Sequence, residues 1–308
     1  MEEVYHDSVM LTESIEGLNI SPNGIYVDVT FGGGGHSKAI LERLKENGRL
    51  LAFDQDQDAL QEGSQKKIFQ EAGNRFTLID QNFKYLKNYL RINGVTSIDG
   101  LLADLGVSSH QFDVAERGFS TRSRGPLDMR MDRRQSLTAA DVLNTYEEEA
   151  LSEVFFKYGE IFEARRVARD VVSFRKVKEF EYTDEGVAFF LRFAKKGKEN
   201  KFLAMAFQAL RIEVNQEMKM LEDMLRQSLE MLKPGGRLVV MSYHSLEDRL
   251  VKNFMRSGNM SGEIEKDFYG NNLSPFVLVN RKVILPTSDE LQKNPRSRSA
   301  KLRIAEKK

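Results

Sequence analysis

Four consecutive glycines, Gly32–Gly35, stand with His36 and Ser37 between a β-branched stretch, 25–29, and a helical pattern, 37–45. Glycines at a strand–helix junction let the backbone approach a ligand closely, and the first N–H groups of the helix point towards it. Ser37 takes the place of the third glycine in the dinucleotide fingerprint. The string therefore indicates a nucleotide-like ligand, with a flexible turn as the alternative.

Two aspartates narrow the choice of ligand. Asp54 follows the next apolar stretch, where an acid accepts hydrogen bonds from ribose hydroxyls; a helix cap is the alternative. Asp28 lies just before the glycines, and a carboxylate ~4 Å from a pyrophosphate would cost about 4 kcal/mol at an effective dielectric of ~20. S-adenosylmethionine carries an ammonium and a sulfonium instead, so Asp28 favours it over a nicotinamide dinucleotide unless its side chain caps a helix.

Strands and helices that would position these residues alternate along the chain. Five short apolar stretches are predicted to be strands: 25–29, 50–53, 76–79, 98–103 and 237–241. Helical patterns separate the first four, which is typical of an α/β fold with a parallel sheet covered by helices on both faces. Asp54 and Asp104 end the second and fourth strands, at the edge where such sheets bind ligands. The string 233–236 (Lys-Pro-Gly-Gly) predicts a turn before the last strand.

A long insertion separates the fourth and fifth strands. A strand–helix–strand crossover takes ~30 residues, and the distance from Asp104 to Arg237 is far greater. Apolar residues recur at helical spacing in 164–172. Further helices are predicted at 141–145, 147–158, 183–195 and 202–212. We therefore expect a discontinuous core, 1–111 with 213–308, and an inserted helical domain at 112–212.

Composition limits the possible chemistry and location. The 308 residues include no cysteine, which excludes disulfides, thiol catalysis and cysteine-based zinc sites and fits a reducing compartment. The chain starts Met-Glu-Glu, unlike a secretory signal, and no apolar run approaches the ~18 residues of a membrane span. A cytoplasmic location is expected. No group of histidines and acids has metal-ligand spacing, so no catalytic metal is expected.

Eight unusual strings in one order give a more specific signal than any glycine loop. They are 6–13 (HDSVMLTE), 28–37 (DVTFGGGGHS), 104–109 (DLGVSS), 116–120 (ERGFS), 125–132 (GPLDMRMD), 207–215 (FQALRIEVN), 242–249 (SYHSLEDR) and 294–303 (NPRSRSAKLR). Through them, essentially the whole chain resembles the bacterial 16S ribosomal RNA (cytosine-N4)-methyltransferase family of the RsmH (MraW) type.

This resemblance implies a class I (Rossmann-like) S-adenosylmethionine methyltransferase core with an inserted all-helical domain. It implies methyl transfer from S-adenosylmethionine to the exocyclic N4 amine of a decoding-site cytosine in 16S ribosomal RNA. It also implies that seven residues contact the cofactor: Gly34, Gly35, His36, Asp54, Phe83, Asp104 and Gln111.

Methyl transfer to a cytosine amine depends more on the alignment of amine, methyl group and sulfur than on a strong base. A cytosine amine is a poor nucleophile, and positioning alone can supply about 7–11 kcal/mol. An acceptor for the amine hydrogens would still stabilise the developing charge, and Asp104 is the candidate catalytic residue, with a binding role as the alternative. Leu105 follows it where many amino-methyltransferases carry a Pro-Pro-aromatic string. Phe119 and Tyr243 are both candidates to stack on the base, and His244 either contacts substrate or starts a helix.

Three basic segments stand out in a chain whose 46 basic and 46 acidic residues balance. They are 165–178, 192–201 and 296–308, and they predict phosphate contacts with RNA, or else solvated faces. Five arginines alternate with aspartates between 122 and 134, and they either bind RNA or form ion pairs. The expected partner is 16S ribosomal RNA within the small subunit, and the protein is expected to be a monomer or a homodimer.

Rival functions remain at this point. One is an NAD(P)-dependent oxidoreductase on a similar sheet, which Asp28 and the lack of an evident Tyr-Lys or histidine pairing disfavour. Another is a non-catalytic RNA-binding factor in ribosome assembly. A third keeps the methyl transfer and changes the acceptor to DNA cytosine or a small molecule.

Overall fold

The computed structural model describes residues 8–308, which form two compact units. The first unit comprises the chain up to Gly106 together with Lys219–Lys308, and the second comprises Val107–Met218. The predicted insertion boundaries, 112 and 212, both fall inside the second unit. The first two residues of the string 6–13 lie outside the described residues.

A seven-stranded sheet organises the first unit, in the order β3-β2-β1-β4-β5-β7-β6. The strands are β1 (Ile25–Asp28), β2 (Arg49–Asp54), β3 (Phe76–Asp80), β4 (Ile98–Asp104), β5 (Leu232–Ser242), β6 (Phe276–Leu278) and β7 (Lys301–Lys307). The first five are parallel, and β7 is antiparallel to β5 and to β6. The expected α/β core of class I type is confirmed.

Both faces of this sheet are buried, which explains why its central strands are apolar at successive positions. In β2, Leu51 and Phe53 face one core while Leu50 and Ala52 face the other. The helices of this unit are α1 (Leu11–Leu18), α2 (Gly35–Leu41), α3 (Gln57–Gln65), α4 (Lys67–Glu71), α5 (Leu86–Ile92), α12 (Glu217–Met231), α13 (Ser245–Ser257) and α14 (Ser288–Lys293). Residues of α5, α12 and α13 cover the first face, and residues of α1, α2 and α4 cover the second.

Two features of β5 and β7 differ from the sequence predictions. The turn predicted at 233–236 is a bulge inside β5, where the register against β4 passes from Ile98↔Leu232 to Gly100↔Arg237. Pro234 lacks an N–H to donate to a neighbouring strand, and Gly235 has a φ of 79°, so pairing is interrupted there. The basic segment 296–308 contains β7, which pairs with β5.

The second unit has a helical fold, so the expected inserted all-helical domain is also confirmed. Its helices are α6 (Ser109–Asp113), α7 (Ala139–Thr145), α8 (Glu148–Lys157), α9 (Ala164–Arg175), α10 (Thr183–Leu191) and α11 (Glu199–Asn215). The predicted stripe on α9 is buried at Ala164, Val167, Ala168 and Val171. The core of the second unit is rich in phenylalanine. The centroid of the Phe190 ring lies 5.6 Å from that of Phe155 and 5.4 Å from that of Phe189. Among residues 8–308, no helix is both long and apolar enough to span a bilayer.

We expect Phe190→Ala to lower the free energy of unfolding by about 3–5 kcal/mol, because it empties a fully buried site in this aromatic core. Urea denaturation monitored by circular dichroism measures the change. Phe162→Ala in the same unit is the control, since that side chain is 96 % exposed and its loss should change stability by no more than about 0.5 kcal/mol. Equal losses in the two variants would contradict this assignment of the core.

Candidate functional site

A hydrogen-bonded group of side chains joins the ends of three neighbouring strands. Asp104 is the last residue of β4, and its backbone N–H donates to the Thr30 hydroxyl at 2.6 Å. Thr30 follows β1 and also contacts Asp28 Oδ1 through its hydroxyl at 3.4 Å. Tyr243 follows β5 and donates its hydroxyl to Asp104 Oδ1 at 2.7 Å. The Asp104 carboxylate is thereby held at the carboxyl edge of the sheet, as predicted.

Burial dominates the electrostatics of Asp104 and raises its pKa to about 6. His36 and the hydroxyl of Tyr243 oppose this shift, whereas the negative charges of Asp28 and Glu247 add to it. The side chain retains 22 % exposure. At neutral pH it is an anion that burial has made more basic than an ordinary aspartate, which is the property an acceptor of amine hydrogens needs.

His36 lies beside this carboxylate, with Nδ1 3.9 Å from Asp104 Oδ2. Its Nε2 lies 3.2 Å from the carbonyl oxygen of Val9, which fixes the ring at the start of α2. Burial lowers the pKa of His36, although the charge of Asp104 opposes this. The imidazole is therefore neutral at pH ~7.

The glycine string turns the chain from β1 into α2, as predicted. Gly32 and Gly34 have φ values of 50° and 76°, which glycine adopts without strain. Gly34 is the N-cap of α2, and a Cβ on Gly35 would overlap the side-chain hydroxyl of Ser8, which would have to move to make room. A Cβ on Gly33 would meet nothing within 4 Å, so the loop is open at that point.

Asp54 connects the end of β2 to this loop. Its Oδ2 accepts from the N–H of Gly32 at 2.7 Å, and its Oδ1 accepts from the N–H of Asp56 at 2.9 Å. Burial raises the pKa of Asp54 to about 6 against the effect of these two donors. Each carboxylate oxygen can accept a further hydrogen bond, so the side chain braces the loop and still suits ribose hydroxyls.

Asp28 occupies a different position from the one the charge argument assumed. Its side chain is fully buried, and Oδ2 accepts from the Ser37 hydroxyl at 2.7 Å in the first turn of α2. Its Oδ1 accepts from the N–H of Thr30 at 3.1 Å. Asp28 therefore turns inward to Ser37 and Thr30 and does not face a ligand, although it does not cap α2, whose N-cap is Gly34. Asp104, which is partly exposed, is the carboxylate that would meet a ligand.

Two of the predicted cofactor residues make contacts outside this hydrogen-bonded network. Phe83 starts a 3₁₀ turn after β3, and its half-buried ring packs against the core of the first unit. Gln111 belongs to the second unit, where its side chain accepts from the N–H of Ser108 at 3.1 Å and completes a capping box on α6.

Three further candidates take structural positions. Phe119 is 5 % exposed within the core of the second unit, so it does not offer a face for stacking. Tyr243 uses its hydroxyl on Asp104 instead. His244 is the N-cap of α13, where Nδ1 accepts from the N–H of Glu247 at 3.4 Å, so the helix-entry interpretation applies. Thr30 was missed, because no local pattern marks it.

Many of the basic residues are engaged within the protein. In β7, Arg303 and Lys301 both contact Asp248, at 2.7 and 3.4 Å, and Lys307 donates to the carbonyls of Leu229 and Leu232. These three tail residues therefore use their charges within the protein, and phosphate contacts by them stay a prediction. Within 122–134, three arginines form ion pairs with acids: Arg124 with Asp184, Arg130 with Asp128 and Arg134 with Asp132.

A second set of cations remains on the surface of the second unit. Arg166 lies over the ring of Phe193 at 5.7 Å, which brings the start of α9 beside the segment 192–201. The lysines of that segment are exposed, and no ion pair within residues 8–308 engages Lys195, Lys196, Lys198 or Lys201. We call residues 165–169 and 192–201, with the exposed ring of Phe162, the basic patch.

Comparisons with known proteins agree on one family. The MraW methylase family matches residues 3–308. A protein of Parabacteroides distasonis named ribosomal RNA small subunit methyltransferase H is 56 % identical over 307 residues, covering 99 % of this chain and 98 % of its own length. Proteins of the same name from Bacteroides fragilis and Flavobacterium johnsoniae are 55 % and 54 % identical, covering 100 % and 98 % of this chain and 99 % and 98 % of their own lengths.

Asp104→Asn is expected to flatten the pH dependence of stability between about pH 4 and about pH 6. The pKa of Asp104 is about 6 in the folded protein against 3.8 normally, so the folded state binds this proton first. The free energy of unfolding consequently falls as pH rises through that window. Urea denaturation at about pH 4 and about pH 7 measures the difference.

Asp80→Asn is the matched control. Asp80 is the last residue of β3, where it pairs with Asp54 of β2, and its side chain is exposed. We expect this variant to retain the pH dependence of the wild-type protein. A wild-type pH dependence in Asp104→Asn would show that the buried carboxylate does not titrate as described.

Proposed function

The chain belongs to the MraW methylase family, and we propose that it methylates the N4 amine of a decoding-site cytosine in 16S ribosomal RNA of the small subunit. The observation that carries the proposal is the fixed, partly exposed carboxylate of Asp104 beside the glycine loop. The names of the relatives support ribosomal RNA as substrate, and the resemblance in the strings supports N4 of cytosine.

The residues at the carboxyl edge fit S-adenosylmethionine as the cofactor. The loop is bounded by the carboxylates of Asp54 and Asp104, and Lys66, which donates to the carbonyl of Gly33, is paired with Glu62 at 2.8 Å. Such a negative site attracts a cationic ligand and repels a pyrophosphate. The residues proposed to hold the cofactor are Gly34, Gly35, His36, Asp54, Phe83, Asp104 and Gln111.

Asp104 is proposed as the group that accepts a hydrogen of the amine. When bound, S-adenosylmethionine would supply a methyl group on a positively charged sulfur, and the carbon–sulfur electron pair would stay with the leaving sulfur when the amine nitrogen takes the methyl group. The nitrogen then carries a surplus proton, which Asp104 Oδ2 accepts. His36 is neutral, so it does not repel a positively charged cofactor. Its Nδ1 lies 3.9 Å from the same oxygen, Asp104 Oδ2.

We further propose that the second unit recognises RNA through the basic patch. Its lysines are free to contact phosphates, which provides sequence-independent affinity. Phe162 is 96 % exposed just before α9, whose first turn carries Arg165 and Arg166, and Glu163 between them pairs with Arg166 at 3.7 Å. An exposed aromatic ring near cations suits a single-stranded base, which stacks on the ring while its phosphates meet the charges.

The alternatives gain no comparable support. An oxidoreductase would place a pyrophosphate on the glycine loop, beside the Asp104 charge. A non-catalytic assembly factor would not need the fixed, partly exposed carboxylate of Asp104 at the carboxyl edge of the sheet.

Incubation with labelled S-adenosylmethionine and undermethylated small ribosomal subunits tests the function. We expect label on N4 of one cytosine, and Asp104→Asn should reduce the rate at least about a hundredfold.

Asp54→Asn should weaken cofactor binding about tenfold or more in calorimetry, because an amide oxygen replaces only one of two acceptors. Asp80→Asn is the control and should match the wild-type protein. Cofactor binding without label in RNA would contradict the proposed substrate.

Neutralising Lys195, Lys196 and Lys198 to glutamine should raise KM for small subunits about tenfold while leaving kcat and cofactor binding unchanged. If all three contact phosphates, the slope of log KM against log salt should fall by about 2. Phe162→Ala should also raise KM, since base stacking is worth about 1–3 kcal/mol. The control replaces the exposed Lys266, Lys282 and Lys293 with glutamine. An equal effect in this control would mean that the patch has no special role.

A further inference from the structure

Tyr243 was predicted, as an alternative to Phe119, to stack on the target base, and its geometry indicates a different role. Its hydroxyl lies 2.7 Å from Asp104 Oδ1, and the side chain projects from the segment after β5 towards the end of β4. The two strands are direct neighbours, with Asp104 opposite Met241. The contact therefore links two adjacent strand ends at the carboxyl edge of the sheet.

Several contacts fix the position of this tyrosine. Its backbone N–H donates to Glu247 Oε2 at 2.9 Å, and Glu247 belongs to the capping box that starts α13. Gly106, with a φ of 99°, lies against the ring of Tyr243. A Cβ added at Gly106 would be 3.4 Å from Tyr243 Cδ2. The ring is thus set by the helix start on one side and by the chain after Asp104 on the other.

The two oxygens of Asp104 consequently have different surroundings. Oδ1 accepts from Tyr243, whereas Oδ2 lies 3.9 Å from His36 Nδ1 and accepts no hydrogen bond from any side chain or N–H within residues 8–308. With one oxygen tied down, the carboxylate has a single orientation. Oδ2 is left as the oxygen that can accept from a substrate.

We propose that Tyr243 is a positioning residue for methyl transfer, whose hydroxyl holds Asp104 so that Oδ2 faces the substrate amine. This inference rests on the proposed function, because it assumes that Asp104 accepts an amine hydrogen. Tyr243 does not take the proton itself. It keeps its own hydrogen throughout and acts through the carboxylate.

The charges around Tyr243 and Asp104 favour a tyrosine that stays protonated and keeps donating its hydrogen bond. Burial raises the pKa of Tyr243 well above its usual value, and the neighbouring carboxylates Asp104, Glu247 and Glu290 add to this. Asp104 itself faces His36, Asp28 and Glu247 besides Tyr243. Since the tyrosine hydroxyl opposes the upward shift of the Asp104 pKa, its removal should raise that pKa further.

Tyr243→Phe tests the proposal, because it removes the hydroxyl and keeps the ring. We expect the acid limb of the pH profile of kcat, measured with small ribosomal subunits between about pH 5 and about pH 9, to move up by about one unit. KM for S-adenosylmethionine should change less than twofold. Combined with Asp104→Asn, the substitution should cause no further loss, because its effect passes through Asp104.

Tyr26→Phe is the matched control. Tyr26 is also buried in the first unit, and its hydroxyl accepts from the N–H of Ser21 at 2.7 Å. Its loss should lower stability and leave the pH profile in place. A purely structural role for Tyr243 would give the same pattern as this control, and that result would overturn the proposal.

A second probe does not depend on enzymatic activity. The carboxyl carbon of Asp104 in protein labelled with ¹³C-aspartate, assigned by its absence in Asp104→Asn, should titrate about one unit higher in Tyr243→Phe. If that variant does not fold, 3,5-difluorotyrosine at position 243 keeps the shape and makes a stronger donor, so the titration should move downward. An unchanged titration would overturn the inference even if methylation of RNA were confirmed. RNA that takes up no label, together with a shifted titration, would instead overturn the proposed function while the contact between Tyr243 and Asp104 stands.

Discussion

Three carboxyl groups at one edge of the sheet are largely removed from water, and much of the local structure follows from the hydrogen-bond donors that their burial requires. An unpaired buried carboxylate is costly, so each needs donors from the protein. Asp28 receives the Ser37 hydroxyl and the N–H of Thr30, and Asp54 receives two backbone N–H groups. Asp104 receives the hydroxyl of Tyr243. Because none of these donors is a cation, the site stays negative overall, which suits a positively charged ligand.

The topology supplies these donors without long connections. β1 lies between β2 and β4, so the chain leaving β1 can contact the ends of both strands. Gly32 donates to Asp54 at the end of β2, and the Thr30 hydroxyl meets the N–H of Asp104 at the end of β4. β5 adds Tyr243 from the far side of β4. A parallel arrangement is needed for this convergence, because it places every carboxyl end at the same edge.

The sequence predicted the elements that depend on local pattern and missed those that depend on distant partners. The strands ending at Asp54 and Asp104 were predicted because buried parallel strands are continuous apolar runs. The segment Lys301–Lys307 was taken as a basic tail, although Leu302 and Ile304 alternate with its charges, since the pairing partner β5 lies far away in sequence. The direction of Asp28 was mistaken for the same reason: the hydroxyl of Ser37 decides it, and a strand residue alone gives no sign of which way its side chain turns.

A neutral chain can serve both a cationic cofactor and a polyanionic substrate only if its charges are segregated. Opposite requirements would cancel at one place, because a carboxylate ~4 Å from a phosphate costs about as much as a lysine there would gain. The carboxylates belong to the first unit and the basic patch to the second, while β7 neutralises its own cations against Asp248 and backbone carbonyls. The exposed lysines of the basic patch, which we propose to contact phosphates, accordingly belong to the helical insertion that starts at Val107 and not to the unit that carries the three carboxyl groups.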